Sequence, residues 1–184
     1  MFTLTFLVNT LIDLYMMMLL LRVWMKYLRC DFYNPFLHFV LQITQPIIKS
    51  LHRIIPDIGS IDSASLFLAF MLATLKYPIL LLMHVGVFSM DATNFLVGLL
   101  ALLKSTGYLV FWVIIIRSLM SWISSGRSPL DYILIQLTEP LMAPIRHILP
   151  VISGIDFSAM IVILILYALN FLGMDLFPSL WYLL

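Results

Sequence analysis

Four stretches of this chain are almost wholly apolar over about 20 residues, the length a helix needs to cross a hydrocarbon core. They run from Phe2 to Leu21, Ser63 to Phe88, Ala92 to Ile116 and Phe157 to Met174, and only Asp13, Lys76 and Lys104 interrupt them. A membrane-spanning segment must satisfy its backbone polar groups internally, so each run is expected to be a helix. The predicted fold is an all-α membrane protein with four transmembrane helices. Composition agrees: 63% of residues are hydrophobic and 10% charged, against about 45–50% and about 25% in soluble domains. A soluble globular protein is excluded. The first run has no Lys or Arg before Arg22, so it lacks the basic start of a secretory signal and is expected to stay as an uncleaved span.

The segments between the first and second runs, and between the third and fourth, resemble one another. Shifted by 94 residues, Pro35, Gln42, Thr44, Pro46, Ile54, Pro56, Ile58, Ile61 and Asp62 fall on Pro129, Gln136, Thr138, Pro140, Ile148, Pro150, Ile152, Ile155 and Asp156. One residue adrift, Arg22 falls on Arg117 and Tyr27 on Trp122. The chain is therefore read as one membrane domain, residues 1–184, made of two repeats at 1–90 and 91–184. Each repeat has a proline-kinked amphipathic segment between its two spans.

In the first such segment Phe36, Val40, Ile43, Ile47, Leu51 and Ile54 recur at helical spacing, with His38, Gln42, Gln45, Lys49 and Arg53 on the other side. That is an amphipathic helix. The second copy places Leu130, Leu134, Leu137, Leu141, Ile145 and Ile148 against Asp131, Thr138, Arg146 and His147. Pro46 and Pro140 each remove a helical hydrogen bond and are expected to break or kink these helices. Two placements follow: a helix lying in the interface, or a re-entrant hairpin with the proline at its tip. Lys49, His52 and Arg53 make deep insertion costly and favour the interface. Asp62 and Asp156, just ahead of the next spans, are expected to serve as N-caps.

Ten Lys and Arg nearly balance nine Asp and Glu, leaving a net charge of +1 and no case for a nucleic-acid partner. Their distribution says more. Arg22, Lys26, Arg29, Lys49, Arg53, Arg117, Arg127 and Arg146 lie in or beside the middle segments. By the positive-inside rule those segments are cytoplasmic and both termini lie outside. The two repeats would then run parallel, related by a pseudo-twofold axis along the membrane normal.

Asp13, Lys76 and Lys104 lie near the centres of three spans, where an unpaired charge is expensive. Under the repeat offsets Asn9 corresponds to Lys104 and Lys76 to Asn170, so Asn9, Asp13, Lys76, Lys104 and Asn170 form an expected mid-membrane polar layer. Asp13 is expected to pair with one or both lysines. The layer is open to two readings: it fixes helix register and contacts between subunits, or it is an ion or proton site. The small residues Ser65, Ala69 and Ala73, and Ala101 and Ser105, are expected to face inward beside it.

No phosphate-binding glycine loop, His-Glu-x-x-His, Cys-x-x-Cys or Gly-x-Ser-x-Gly occurs. The single cysteine, Cys30, cannot form an intrachain disulfide. His38, His52 and His147 fall in the interfacial segments and His84 near a span end, which favours solvated side chains over haem or metal ligands. Phe177, Trp181 and Tyr182 read as an interfacial aromatic belt. No cofactor, metal or catalytic residue is expected.

Arg22, then Asn34-Pro35, Thr44-Gln45-Pro46, Ile54-Ile55-Pro56 and Ile61-Asp62, is answered by Arg117, Ser128-Pro129, Thr138-Glu139-Pro140, Ile148-Leu149-Pro150 and Ile155-Asp156. This doubled pattern resembles the YggT family over nearly the whole chain, in the two-repeat form found in Gram-negative bacteria. The resemblance implies an integral protein of the bacterial inner membrane without established enzymatic activity. It also implies association with osmotic-stress tolerance and ion homeostasis, with division-related gene neighbourhoods and, in plastids, with cytochrome maturation and nucleoid distribution. It brings no catalytic residue. The leading expectation is a non-enzymatic membrane organiser whose Lys49, Arg53 and Arg146 attract anionic lipid headgroups and whose partners are lipids and other membrane proteins or further copies of itself. The alternative is a subunit of an ion channel or transporter built on the Asp and Lys layer.

Overall fold

The computed structural model describes residues 2–30, 34–123, 128–148 and 157–181, and among them every regular element is a helix. In chain order these are α1 (Phe2–Tyr27), α2 (Pro35–Leu51), α3 (Ser63–Val85), α4 (Ala92–Ile123), α5 (Pro129–Ile148), α6 (Ser158–Leu176) and the single turn α7 (Pro178–Trp181). Four stretches, Thr3–Tyr27, Ser63–Val85, Ala92–Ser121 and Ser158–Leu176, are long and apolar enough to cross a membrane. They coincide with the four apolar runs of the sequence.

Helix ends follow local chemistry. α1 stops where Arg29 enters the left-handed region at φ 52° and the Cys30 amide bonds the Met25 carbonyl at 3.0 Å, a Schellman closure. α2 starts at Asn34, whose side chain accepts from the Phe36 amide at 3.0 Å, with Pro35 in the first turn. Asn34 also donates to the Pro129 carbonyl at 2.6 Å, tying the start of α2 to that of α5. α5 begins with a reciprocal cap: Asp131 accepts from the Ser128 amide and hydroxyl, and the Ser128 hydroxyl oxygen accepts from the Asp131 amide. α3 is capped by Asp62 and ends at Gly86 in the left-handed conformation, φ 76°.

The bundle is densest where α3 packs between α1 and α4. Ser65, Ala69 and Ala73 are buried, as are Ala101 and Ser105, so the small residues do face inward and let the helices close. At Gly98 the approach is tightest: a Cβ there would stand 2.3 Å from the Thr74 hydroxyl and 2.8 Å from its Cα. The principal core joins Met16, Leu19 and Met25 of α1 to Leu37, Val40 and Ile48 of α2 and to Ile133, Leu134 and Leu137 of α5. α6 stands apart, burying little beyond Ser158, Val162 and Gly173.

Three expectations are corrected in whole or in part. Of the two outcomes expected at Pro46 and Pro140, a break or a kink, the break does not occur, because α2 and α5 each continue through them. Each proline is exposed, and for Pro46 the carbonyl that loses its donor belongs to Gln42 on the exposed side, where solvent or headgroups can replace the bond. A continuous helix has no hairpin tip, so the re-entrant arrangement with proline at its turn is absent. The expected apolar stripe also divides: Val40 is buried and Phe36 and Leu51 partly so, while Ile43, Ile47 and, beyond the end of α2, Ile54 are exposed. The side of α2 that faces the bundle is Leu37, Val40, Thr44 and Ile48, because the bundle covers only part of a wide apolar arc. In α5, Asp131 and Thr138 are buried rather than solvated, through the cap and a contact described below.

Candidate functional site

Arg22 lies five residues before the end of α1, directly after the apolar run that ends at Leu21 and buried against the bundle, so its donors must be met by the protein. Its Nε donates to Asp62 Oδ2 at 2.8 Å and its NH1 to Thr44 Oγ1 at 2.9 Å. Thr44 in turn donates to the Val40 carbonyl at 2.8 Å, as a threonine on a helix commonly does. Asp62 Oδ1 accepts from the Ser65 amide at 3.0 Å. One buried cluster therefore bolts the last turns of α1, the middle of α2 and the first turn of α3 together. It also lays α2 across the end of the bundle, since both Arg22 and Asp62 lie at that end.

The Asp62 side chain is fully buried and that of Arg22 nearly so. Burial pushes the Asp62 carboxyl up. The Ser65 amide bond, with the hydrogen bond and charge of Arg22, outweighs this and holds it below the ordinary carboxylate range. The N-cap expected of Asp62 is present, and the ion pair with Arg22 is an addition that spacing alone did not reveal. A shell of weaker contacts surrounds it: Lys26 Nζ lies 2.5 Å from Asp57 Oδ2, and His52 lies 3.7 Å from Asp57 and 3.6 Å from Asp62.

His52, Asp57 and Asp62 bring potential metal-ligating atoms within 4.8 Å of one another. Arg22 and Lys26 already neutralise the two carboxylates, however, and Ser65 occupies the remaining Asp62 oxygen. The arrangement is chemically an ion network. A divalent ion would have to displace two cationic partners.

At the corresponding position of the second half, Arg117 of α4 donates through NH1 to the Thr138 hydroxyl and, at 2.8 Å, to the Met142 sulfur. Thr138 donates to the Leu134 carbonyl at 2.7 Å, as Thr44 does to Val40. Glu139 lies 3.6 Å from Arg117 and accepts from Arg146 NH1 at 2.8 and 3.1 Å. Pro150 and Asp156 lie outside the described residues, as do Arg127 and Tyr182. Pro56 is exposed and its carbonyl accepts from the Ser63 hydroxyl at 2.6 Å.

Of the basic residues expected at lipid headgroups, Lys49 is exposed on α2 and Arg53 is exposed in the turn just beyond it. Arg146 is held by Glu139 instead.

The hydrogen bonds of the expected mid-membrane layer fall into two groups. Lys76 Nζ donates to Asp13 Oδ1 at 2.7 Å, joining α3 to α1. Lys104 goes elsewhere. Its ammonium donates to the Trp181 carbonyl at 3.2 Å and stands 5.5 Å from the centroid of the Trp181 ring, a cation–π geometry. Trp181 Nε1 donates to Asn170 Oδ1 at 3.1 Å. Asn9 is half-buried, one turn before Asp13.

Trp181 is thus not part of an outward-facing belt. It is 7% exposed, and a Cβ on Gly173 would lie 2.5 Å from its ring. The physical reason is Lys104, which needs an acceptor inside the bundle and finds it in the chain folding back over α6. The only signal in the sequence was Pro178, which starts a further turn shortly after Gly173; the link from Lys104 through Trp181 to Asn170 is seen only in the contacts.

Comparison with known proteins gives a consistent picture. The CCB3/YggT family model matches residues 1–83 and again 96–177. The chain is 50% identical to a protein of Escherichia coli strain K12 named "Uncharacterized protein YggT", over 97% of both chains. It is 45% identical to an uncharacterised protein from the proC 3' region of Vibrio alginolyticus, over 98% of both. An uncharacterised Haemophilus influenzae protein is 37% identical over 95% of this chain and 93% of its own. No solved structure matches.

Proposed function

We propose that this chain, which belongs to the CCB3/YggT family, is a non-enzymatic organiser of the bacterial inner membrane that works through α2 at the cytoplasmic face. The observation that carries the reading is the way α2 is held. Arg22, Thr44 and Asp62 fix one side of it to the bundle, and two further faces stay open. Phe39, Ile43 and Ile47 form an exposed apolar face, and His38, Gln42, Gln45 and Lys49 an exposed polar one, with Arg53 exposed in the turn that follows the helix. A helix so divided suits the interface, its apolar face towards acyl chains and its bases towards anionic headgroups.

Orientation follows in the proposal from the bases clustered at this end, with both termini on the far side. The two halves act as parallel repeats, each using an arginine and a threonine to seat its amphipathic helix. Other membrane proteins or further copies of the chain would assemble on the same face. Osmotic-stress tolerance and ion homeostasis would then depend on that assembly rather than on transport by this chain. The alternative, an ion-channel or transporter subunit, needs its intramembrane charges to serve an ion, whereas Asp13 and Lys76 serve each other.

The test is lipid selectivity. Wild type and the Lys49→Gln/Arg53→Gln double variant are reconstituted with mixtures of phosphatidylglycerol and phosphatidylcholine, and the phosphatidylglycerol held at the protein boundary is measured. Each base contributes about 1 kcal/mol near an anionic surface, about fivefold, so the double variant should lose selectivity by roughly thirtyfold. Unchanged selectivity overturns the proposal. Ion flux above that of empty liposomes, altered by Lys76→Met, would favour the transport alternative.

A further inference from the structure

We infer that the cleft between α4 and α6 is a binding site for a single-chain anionic amphiphile, a long-chain fatty acid, whose carboxylate is recognised by Lys104. This site lies on other helices than the organiser surface on α2 and does not depend on that reading.

The cleft has a volume of about 490 Å³, within the range of about 300–1,000 Å³ that small-molecule sites occupy. Its walls are mainly apolar, including Leu100, Phe111, Leu166 and Leu176, and Trp181 closes one side. Gly107 contributes to the opening: a Cβ there would meet nothing within 4 Å. A hydrocarbon chain fits such a surface without losing any hydrogen bond.

The polar chemistry of the cleft is one-sided. An ammonium has three donors, and among the described residues Lys104 gives one to the Trp181 carbonyl and rests beside its ring. Asn170 accepts from Trp181 through its oxygen, which leaves its amide N–H groups to donate. Tyr108 and Tyr167 are also among the lining residues. No carboxylate is among the described lining residues, and Asp13 is engaged by Lys76. A cation inside an apolar segment calls for an anionic partner, and donors without a matching acceptor call for acceptor oxygens.

Depth and width select the class of anion. Lys104 lies 12 residues after Ala92, about 18 Å along the helix, well inside the apolar span. A carboxyl is small and can enter that region protonated, whereas a phosphodiester stays charged and carries two chains and a headgroup. Lys104 then holds the ionised carboxylate while the cleft takes the single chain.

The experiment reconstitutes the full-length protein in phosphatidylcholine vesicles and measures, by electron paramagnetic resonance, how much spin-labelled stearic acid is motionally restricted. Spin-labelled phosphatidylcholine and phosphatidylglycerol serve as references. Wild type should prefer stearate to phosphatidylcholine about fivefold, the scale of one lysine's attraction for an anion. Lys104→Met should bring stearate down to the phosphatidylcholine level. Gly107→Phe fills the open space beside Gly107 with Lys104 intact and should lower stearate retention independently. Excess unlabelled palmitate should release the label from wild type, a result that needs no variant to fold.

Absence of a stearate preference in wild type overturns the inference, as does a preference that survives Lys104→Met. Retention of phosphatidylglycerol equal to or above that of stearate would overturn the single-chain assignment.

Discussion

Asp62→Asn is the substitution that isolates the buried ion pair. Asparagine keeps the shape and can still accept from the Ser65 amide, so the N-cap is retained. What is lost is the negative charge facing Arg22, across a 2.8 Å contact with both side chains at 10% exposure or less. Leaving one member of such a pair unpaired costs about 3–5 kcal/mol. Reversible unfolding by SDS in mixed micelles at neutral pH should register that loss, and Arg22→Met should register a comparable one. The double variant should lose less than the sum of the two, because neither leaves a lone charge when both are gone.

Acidity gives an independent check. The folded pKa of Asp62 lies below its ordinary value of 3.8. Its contribution to stability is therefore complete above the ordinary value and disappears as pH falls through the folded one. Asp62→Asn should remove that part of the acid-induced loss. A variant within about 0.5 kcal/mol of wild type, or strictly additive losses in the cycle, would refute the assignment of this pair as the bolt between α1 and α3.

Further outcomes follow from other contacts. Gly98→Ala should destabilise the protein by about 1–3 kcal/mol through overpacking, and Thr74→Ala should rescue it only in part, since the Thr74 backbone also lies under 3 Å from the new Cβ; full rescue, read by the same unfolding assay, would contradict the geometry. Lys76→Met leaves Asp13 unpaired between α1 and α3 and should cost about 1–3 kcal/mol, less with Asp13→Asn added; equal stability of the single and double variants would contradict the pairing. Arg29→Gly should stabilise by up to about 1 kcal/mol by relieving a non-glycine residue in the left-handed region, and a loss of stability would show that the Arg29 side chain matters more than its backbone. If the two halves are equivalent, Asp156→Asn should cost as much as Asp62→Asn, and a cost near zero would show that the Arg117 cluster is complete without it.

What the sequence disclosed and what it withheld divide along a physical line. Helix number and position were legible because a hydrocarbon solvent imposes a single rule on every residue of a span, and a run such as Phe157 to Met174 has no other use. The small residues at Ser65, Ala69 and Ala73 were legible for the same reason, since close helix approach has a simple compositional signature. Partner choice among the few polar residues was not. The sequence offers Asp13 two lysines, and only packing assigns it to Lys76 while sending Lys104 to the backbone carbonyl of Trp181.

Arg22, Thr44 and Asp62 stand at separations of 22, 40 and 18 residues, which no helical period relates. Their recurrence as Arg117, Thr138 and Asp156 marked them as a set without saying what joined them. The contacts supply the reason: an arginine placed at the edge of the apolar region must be paired, and the pairing that meets this need also seats α2. In the proposed function the residues that make this chain recognisable are therefore the fastening of the exposed surface, while the surface itself depends on Phe39, Ile43, Ile47, Lys49 and Arg53. Changes to those five should alter what the protein binds and leave its fold intact, whereas changes to Arg22, Thr44 or Asp62 should disturb both.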